Sequence, residues 1–306
     1  MTSNVLSAII RYMKKKPTLD SLGVQKYRTF LDTSAAMFKP DPAVLQEPVR
    51  IQAGTGTIEG LWLRPVSETA KRAILYLHGG GYVAGSIASH RDLAARIALA
   101  ARTDVLVINY RLAPENPFPA GLDDALTAFQ WLSAQGYVPT SIGIAGDSAG
   151  GGLALALLLK IRQHGLTMPG AAALISPWAD LNCTGRSHQI NRDKDPMLNQ
   201  DLLESAARMY TNPSRYSDPL VSPLYGDLAG LCPVLIQAGT HEILQDDALA
   251  LKNRAEKAGV TVRADIWEGM FHVWHYFARY LPQARQAISE LGAFMDERLR
   301  AAGPGD

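Results

Sequence analysis

A serine framed by glycines is the strongest chemical signal in the chain. Gly146-Asp147-Ser148-Ala149-Gly150 fits the pattern G-x-S-x-G. The apolar run Ile142–Ala145 before it reads as a strand, and Gly150–Arg162 after it reads as a helix. A residue on such a strand-to-helix turn sits in a strained backbone, and glycine on either side removes the Cβ atoms that would collide. The turn points the Ser148 hydroxyl outward at the positive end of a helix. A hydroxyl so placed attacks a carbonyl carbon once a base takes its proton. A second signal, His78-Gly79-Gly80-Gly81-Tyr82, closes the strand-like run Arg72–His78. Acyl transfer builds negative charge on a carbonyl oxygen, and losing one preorganised N–H donor to that oxygen costs on the order of 10²–10³ in rate. Three glycines leave the backbone bare enough for that oxygen to approach, and the N–H of Ala149 is a further donor.

The same glycines fit the loose dinucleotide fingerprint G-x-G-x-x-A through Gly79, Gly81 and Ala84. That fingerprint needs an acid at the end of the next strand to hold a ribose. Here the next strand begins at Asp104 and ends in Tyr110-Arg111, so a nucleotide is not expected.

A nucleophile on this kind of turn is followed along the chain by an acid and then a histidine. Only His272 and His275 lie beyond both Ser148 and the last strand-like run, Val260–Trp267. His272 ends the loop Glu268-Gly269-Met270-Phe271-His272, which can return to the carboxyl edge of the strands, whereas His275 reads as the start of the final helix. The acid belongs just after the strand Val234–Ala238. Glu242 stands in that loop, where a carboxylate orients the imidazole and stabilises its cation. Asp246 and Asp247 read as the first turn of the next helix, where acids suit the helix dipole. His241-Glu242-x-x-Gln245 starts like the zinc motif H-E-x-x-H, but its fifth residue is Gln, and no metal is expected.

Strands are expected at Arg72–His78, Asp104–Tyr110, Ile142–Gly146, Ala172–Ser176, Val234–Ala238 and Val260–Trp267. Helices are expected at Arg91–Arg102, Leu122–Ala134, Gly150–Arg162, Asp246–Ala258 and Tyr276–Ala301, and a leading hairpin at Val49–Gln52 and Gly60–Arg64. Continuous apolar strands separated by helices indicate an α/β class with a mostly parallel sheet covered on both faces. Two segments break the alternation. Residues 1–45 are helical in pattern before any strand, and residues 182–225 are polar and rich in proline. Long insertions in compact domains are usually functional. Together the two are expected to form a cap over the carboxyl ends of the strands, on a single domain spanning 1–306.

The glycine run, Tyr110-Arg111-Leu112-Ala113-Pro114-Glu115, the GDSAG turn, Asp195-Pro196-Met197-Leu198 and Gly269-Met270-Phe271-His272 follow one another in order. In that order they resemble the hormone-sensitive-lipase-like family of α/β-hydrolases, bacterial branch, from about residue 70 to 280. The resemblance implies an α/β-hydrolase fold with about eight strands and a helical cap. It implies a carboxylesterase for short- to medium-chain acyl esters, acting through Ser148, Glu242, His272 and an acyl-enzyme, with no cofactor. By the same resemblance Gly80 and Gly81 donate to the oxyanion together with Ala149, and Gly79, Tyr82 and Asp147 contact the substrate. Glu242 stands where many members carry aspartate, and His272-Val273-Trp274 replaces the usual His-Gly-Phe. Arg111 and Glu115 are expected to form an ion pair. The same fold also carries a non-catalytic ligand receptor, and the same machinery serves amides, lactones or acetylated sugars. A homodimer through the edge strand and last helix is compatible with the resemblance.

Composition narrows the partners. Thirty Lys+Arg against 29 Asp+Glu leave a net charge of +1, too balanced for a chain held to nucleic acid by its overall field. Lys14-Lys15-Lys16 is too short to change that. No run reaches the ~18 apolar residues a bilayer span requires, and no signal peptide is read at the N-terminus, so membrane insertion is not expected and a cytoplasmic location is. Cys183 and Cys232 cannot make a disulfide framework and are expected as free thiols.

Overall fold

The structure, a computed structural model, describes residues 4–36, 38, 41–54, 56–66 and 71–301. Residues 1–3, 37, 39 and 40 of the leading segment lie outside the described residues. Eight strands form one sheet: β1 (Val44–Ala53), β2 (Gly56–Pro65), β3 (Ala73–Leu77), β4 (Asp104–Asn109), β5 (Ile142–Asp147), β6 (Ala171–Ile175), β7 (Val234–Gly239) and β8 (Val262–Trp267). Their spatial order is β1-β2-β4-β3-β5-β6-β7-β8. β2 runs antiparallel to both neighbours, and every other pairing is parallel.

Ten α-helices accompany the sheet among the described residues. They are α1 (Asn4–Met13), α2 (Leu19–Leu22), α3 (Val24–Ala35), α4 (Ile87–Ala101), α5 (Ala120–Ala134), α6 (Ala149–Gln163), α7 (Ser187–Ile190), α8 (Gln200–Tyr210), α9 (Gln245–Lys257) and α10 (Pro282–Ala301). Side chains alternate between two apolar layers. Ala73, Leu75 and Leu77 of β3 join one layer, with α5, α6 and α9. Ile74 and Tyr76 join the other, with α1, α4 and α10. Burial on both faces is why these strands read as unbroken apolar runs.

The topology places the site. β3 and β5 are neighbours, yet the chain leaves β3 toward β4 on one side and leaves β5 toward β6 on the other. Open α/β sheets bind ligands beyond the carboxyl ends of their strands at such a reversal. The glycine run follows β3 and Ser148 follows β5, so both signals meet there.

Three expectations need correction. The leading helical segment ends before Val44, where β1 already begins. The final helix starts at Pro282, not Tyr276, because Trp274, His275 and Phe277 are buried on a short 3₁₀ turn that leads into it. Arg111 and Glu115 do not pair with each other. Arg111 grips the buried Asp124 carboxylate at 2.8 Å, while Glu115 takes the guanidinium of Arg28 from α3 at 2.8 Å. Cys183 and Cys232 are free. Among the described residues no helix is long and apolar enough to cross a membrane.

Candidate active site

The strand-to-helix turn holds Ser148 at φ 55°, ψ −125°, a conformation few non-glycine residues adopt. The backbone around it is fastened on two sides. Ser148 N–H donates to the Ile175 carbonyl at 2.8 Å, and its own carbonyl accepts Gly152 N–H at 3.1 Å and Trp178 N–H at 3.0 Å. A Cβ on Gly146 would run into the Gly150 carbonyl, and a Cβ on Gly150 into the Leu77 carbonyl. Ser148 stands at the cap position of α6 without a side-chain cap bond, which leaves its hydroxyl for other partners.

That hydroxyl lies 2.9 Å from His272 Nε2. On the far side of the ring, Nδ1 lies 3.1 Å from Glu242 Oε2. Glu242 is fully buried, and its other oxygen accepts the Ser176 hydroxyl at 2.8 Å and Gly239 N–H at 2.5 Å. Ser176 Oγ in turn accepts Val273 N–H at 3.2 Å, so one hydroxyl ties the acid to the residue after His272. Burial alone would lower the His272 pKa. The hydrogen bond and charge of Glu242, with the charges of Asp195 and Asp147, together outweigh it, and the imidazole stands above the ordinary 6.5. His275 is not brought to Ser148. It is buried against Gln237 Oε1 at 3.0 Å, and burial pushes its pKa down to about 3.

Asp147 ties together β3, the glycine run after it and the 3₁₀ turn before α10. Its carboxylate accepts Tyr76 OH at 2.7 Å, Gly79 N–H at 3.1 Å and Tyr276 OH at 2.9 Å. Burial would raise its pKa, but the His90 ring and the two tyrosine hydroxyls hold it below the usual carboxylate range. Gly79 is thereby engaged inward, and a Cβ there would strike the Asp147 carboxylate. Gly80 and Gly81 turn the other way, with φ 122° and 64°. Among the described residues, the N–H groups of Gly80, Gly81 and Ala149 have no backbone acceptor outside regular helix and strand bonding.

A cavity of about 640 Å³ opens over these groups. Ser148, His272, Gly80 and Gly81 form its floor. Residues between Tyr12 and Ala35 of the leading segment, with Phe38, and residues between Arg192 and Ala206 of the insertion supply walls. Gly79 and Tyr82, placed against substrate by the sequence, are not among the lining residues. Tyr82 is 2% exposed and stacks on Tyr210 at 3.9 Å, because its ring fills the space under the insertion. Asp147 does reach the lining, though its carboxylate bonds to protein groups. Sequence reasoning missed Ser176, whose signal was a serine at the end of a strand followed by Pro177. Among the described residues no cluster of three His, Cys, Asp or Glu side chains has metal-binding geometry.

A family model for the alpha/beta hydrolase fold matches residues 74–276. An acetyl-hydrolase of Streptomyces hygroscopicus is 46% identical over 234 residues, 76% of this chain and 78% of that protein. An esterase of Acinetobacter venetianus is 35% identical over 294 residues, 96% of this chain and 94% of its own length. Among solved structures, an esterase from the bacterial hormone-sensitive lipase family superposes with a TM-score of 0.91 at 38% identity, covering 98% of this chain and 99% of that one.

Proposed function

The chain belongs to the alpha/beta hydrolase fold family, in its bacterial hormone-sensitive-lipase branch, and from that premise we propose that it is a serine carboxylesterase with the triad Ser148, His272 and Glu242. The observation that carries the reading is the continuous run of contacts from Ser148 Oγ through both His272 nitrogens to Glu242, at 2.9 and 3.1 Å.

Ser148 Oγ attacks the ester carbonyl carbon as His272 Nε2 takes its proton. The N–H groups of Gly80, Gly81 and Ala149 stabilise the oxyanion. Collapse breaks the bond to the alkoxy oxygen, which leaves as the alcohol with the proton from His272. Water then attacks the acyl-enzyme with His272 as base, releasing the acid and restoring Ser148. Glu242 holds the ring in the tautomer whose Nε2 is free to accept. The leading and inserted segments act as a cap on the single catalytic domain and shape the pocket for short- to medium-chain acyl groups. Names of relatives, among them an acetyl-hydrolase and an ethyl acetate hydrolase from Pseudomonas putida, support short acyl esters over amides or lactones. A ligand receptor without catalysis is not supported, since Ser, His and acid are all in contact.

The test is the rate on p-nitrophenyl acetate. Ser148→Ala and His272→Ala are each expected to lose about 10⁴-fold or more in kcat while keeping the native melting transition. Glu242→Ala is expected to lose far more than Asp246→Ala. Retained activity in Ser148→Ala or His272→Ala would end the triad assignment, and the reverse ranking of the two acids would move the acid.

A further inference from the structure

Ser187, Asn191 and Asp195 follow one another at four-residue spacing in the inserted segment, and all three are buried. They converge on the loop that carries Glu242. Asn191 Nδ2 donates to the Glu242 carbonyl at 2.8 Å and to Gln245 Oε1 at 3.2 Å. Ser187 Oγ donates to the Ile243 carbonyl at 2.6 Å and accepts Asp246 N–H at 3.1 Å, while Ser187 N–H donates to Asp246 Oδ2 at 2.9 Å. Asp195 Oδ2 accepts Ile243 N–H at 3.0 Å. Its Oδ1 accepts the N–H groups of Met197 at 2.9 Å and Leu198 at 3.1 Å, two residues on the cavity wall.

The loop's own backbone bonds are long by comparison. Glu242 N–H reaches the Gly239 carbonyl, and Gln245 N–H the Glu242 carbonyl, both at 3.3 Å. That is the weak end of the N–H···O range. Both backbone polar groups of Ile243, the carbonyl of Glu242 and the N–H of Asp246 therefore find their short partners on the insertion. A buried carbonyl or N–H that loses its partner keeps the cost of its desolvation, so the loop cannot shift without leaving several such groups unpaired.

Resting on the triad reading above, we propose that Ser187, Asn191 and Asp195 form a polar clamp that sets the position of Glu242, so that the insertion fixes both the cavity wall and the aim of the acid. They are positioning residues that act through Glu242, and of the three only Asp195 is among the cavity-lining residues. Two things follow for rates. A misplacement of about 1 Å at a catalytic group can cost about 10²-fold in rate. The loss should appear in kcat and should act only through Glu242.

The experiment compares Asn191→Leu, which keeps the side chain's bulk and removes both donors, with Ser187→Ala and Ser187→Thr, in the wild-type and the Glu242→Ala backgrounds. The probe is p-nitrophenyl acetate. In the intact background Asn191→Leu is expected to lower kcat by about 10- to 100-fold with KM changed by less than about twofold. Ser187→Ala is expected to fall less, and Ser187→Thr, which keeps the hydroxyl, to recover most of that fall. In the Glu242→Ala background the same substitutions are expected to change kcat by less than about twofold, since coupled residues do not add. An equal further fall in both backgrounds, or an unchanged kcat in the intact one, would overturn the clamp. If Asn191→Leu does not fold, the Ser187 pair decides by the same comparison. Full activity in Glu242→Ala alone would instead strike the triad reading itself.

Discussion

In the proposed triad His272 must be neutral to accept the Ser148 proton, and its surroundings work against that. Against burial, which lowers its pKa, Glu242 and the more distant carboxylates of Asp195 and Asp147 favour the imidazolium and hold the ring above its ordinary 6.5. Since the neutral form is the base, activity is present above the raised pKa and is lost as pH falls through it. The acid limb of kcat/KM is therefore expected above pH 6.5, and Glu242→Gln is expected to move it to lower pH while lowering the plateau. A limb at or below 6.5 in the unmodified enzyme would contradict this assignment of charge. That Ser148, Glu242 and His272 would come into contact was readable along the chain, because each follows its own strand. The partners that aim them were not. Ser176 and Asn191 meet Glu242 only after segments 66 and 51 positions apart fold together. Arg111 likewise chose Asp124 over Glu115, a choice set by where α5, which carries Asp124, lies in the fold.

The turn between β5 and α6 ties strand geometry to chemistry. A methyl group at Gly146 would meet the Gly150 carbonyl and lie 2.7 Å from the Leu77 carbonyl, all backbone atoms that cannot swing aside. Gly146→Ala is expected to destabilise the protein by about 1–3 kcal/mol. In a chain of this size that lowers Tm by about 2 °C or more, and kcat should drop with it as Ser148 is displaced. Gly54→Ala, where nothing lies within 4 Å, serves as the control and is expected to leave Tm unchanged. Equal melting of the two variants would show that the turn tolerates a side chain. The inner strands were legible because burial on both faces leaves apolar runs bounded by glycine and polar turns. The ends of elements were less so. The 3₁₀ turn at Trp274–Phe277 carries the same apolar residues as a helix start, and only the packing of Trp274 and Phe277 distinguishes it.

Walls of the cavity come from two stretches far apart in sequence, and Arg28 is the most heavily bonded of the α3 residues, with Gln25 and Asp32, that tie the helix to the segments after β3 and β4. Arg28 donates to the Val83 carbonyl at 2.7 Å, the Ala113 carbonyl at 2.8 Å and the Glu115 carboxylate at 2.8 Å. Val83 lies on the cavity wall. Arg28→Leu is expected to raise KM for p-nitrophenyl butyrate more than it lowers kcat, and to lower Tm by about 2 °C or more. An unchanged KM would mean that the leading segment takes no part in binding the ester. Polarity and proline content marked the insertion in the sequence, but its hold on the Glu242 loop depends on contacts that no local pattern encodes.

Ser148 as the acylated residue is most directly tested by mass spectrometry of peptides from protein treated with a fluorophosphonate. The expected result is one adduct, on the peptide containing Ser148, formed rapidly in the unmodified enzyme and far more slowly in His272→Ala. An adduct on a different residue, or labelling of Ser148 at the same rate without the imidazole, would contradict the account.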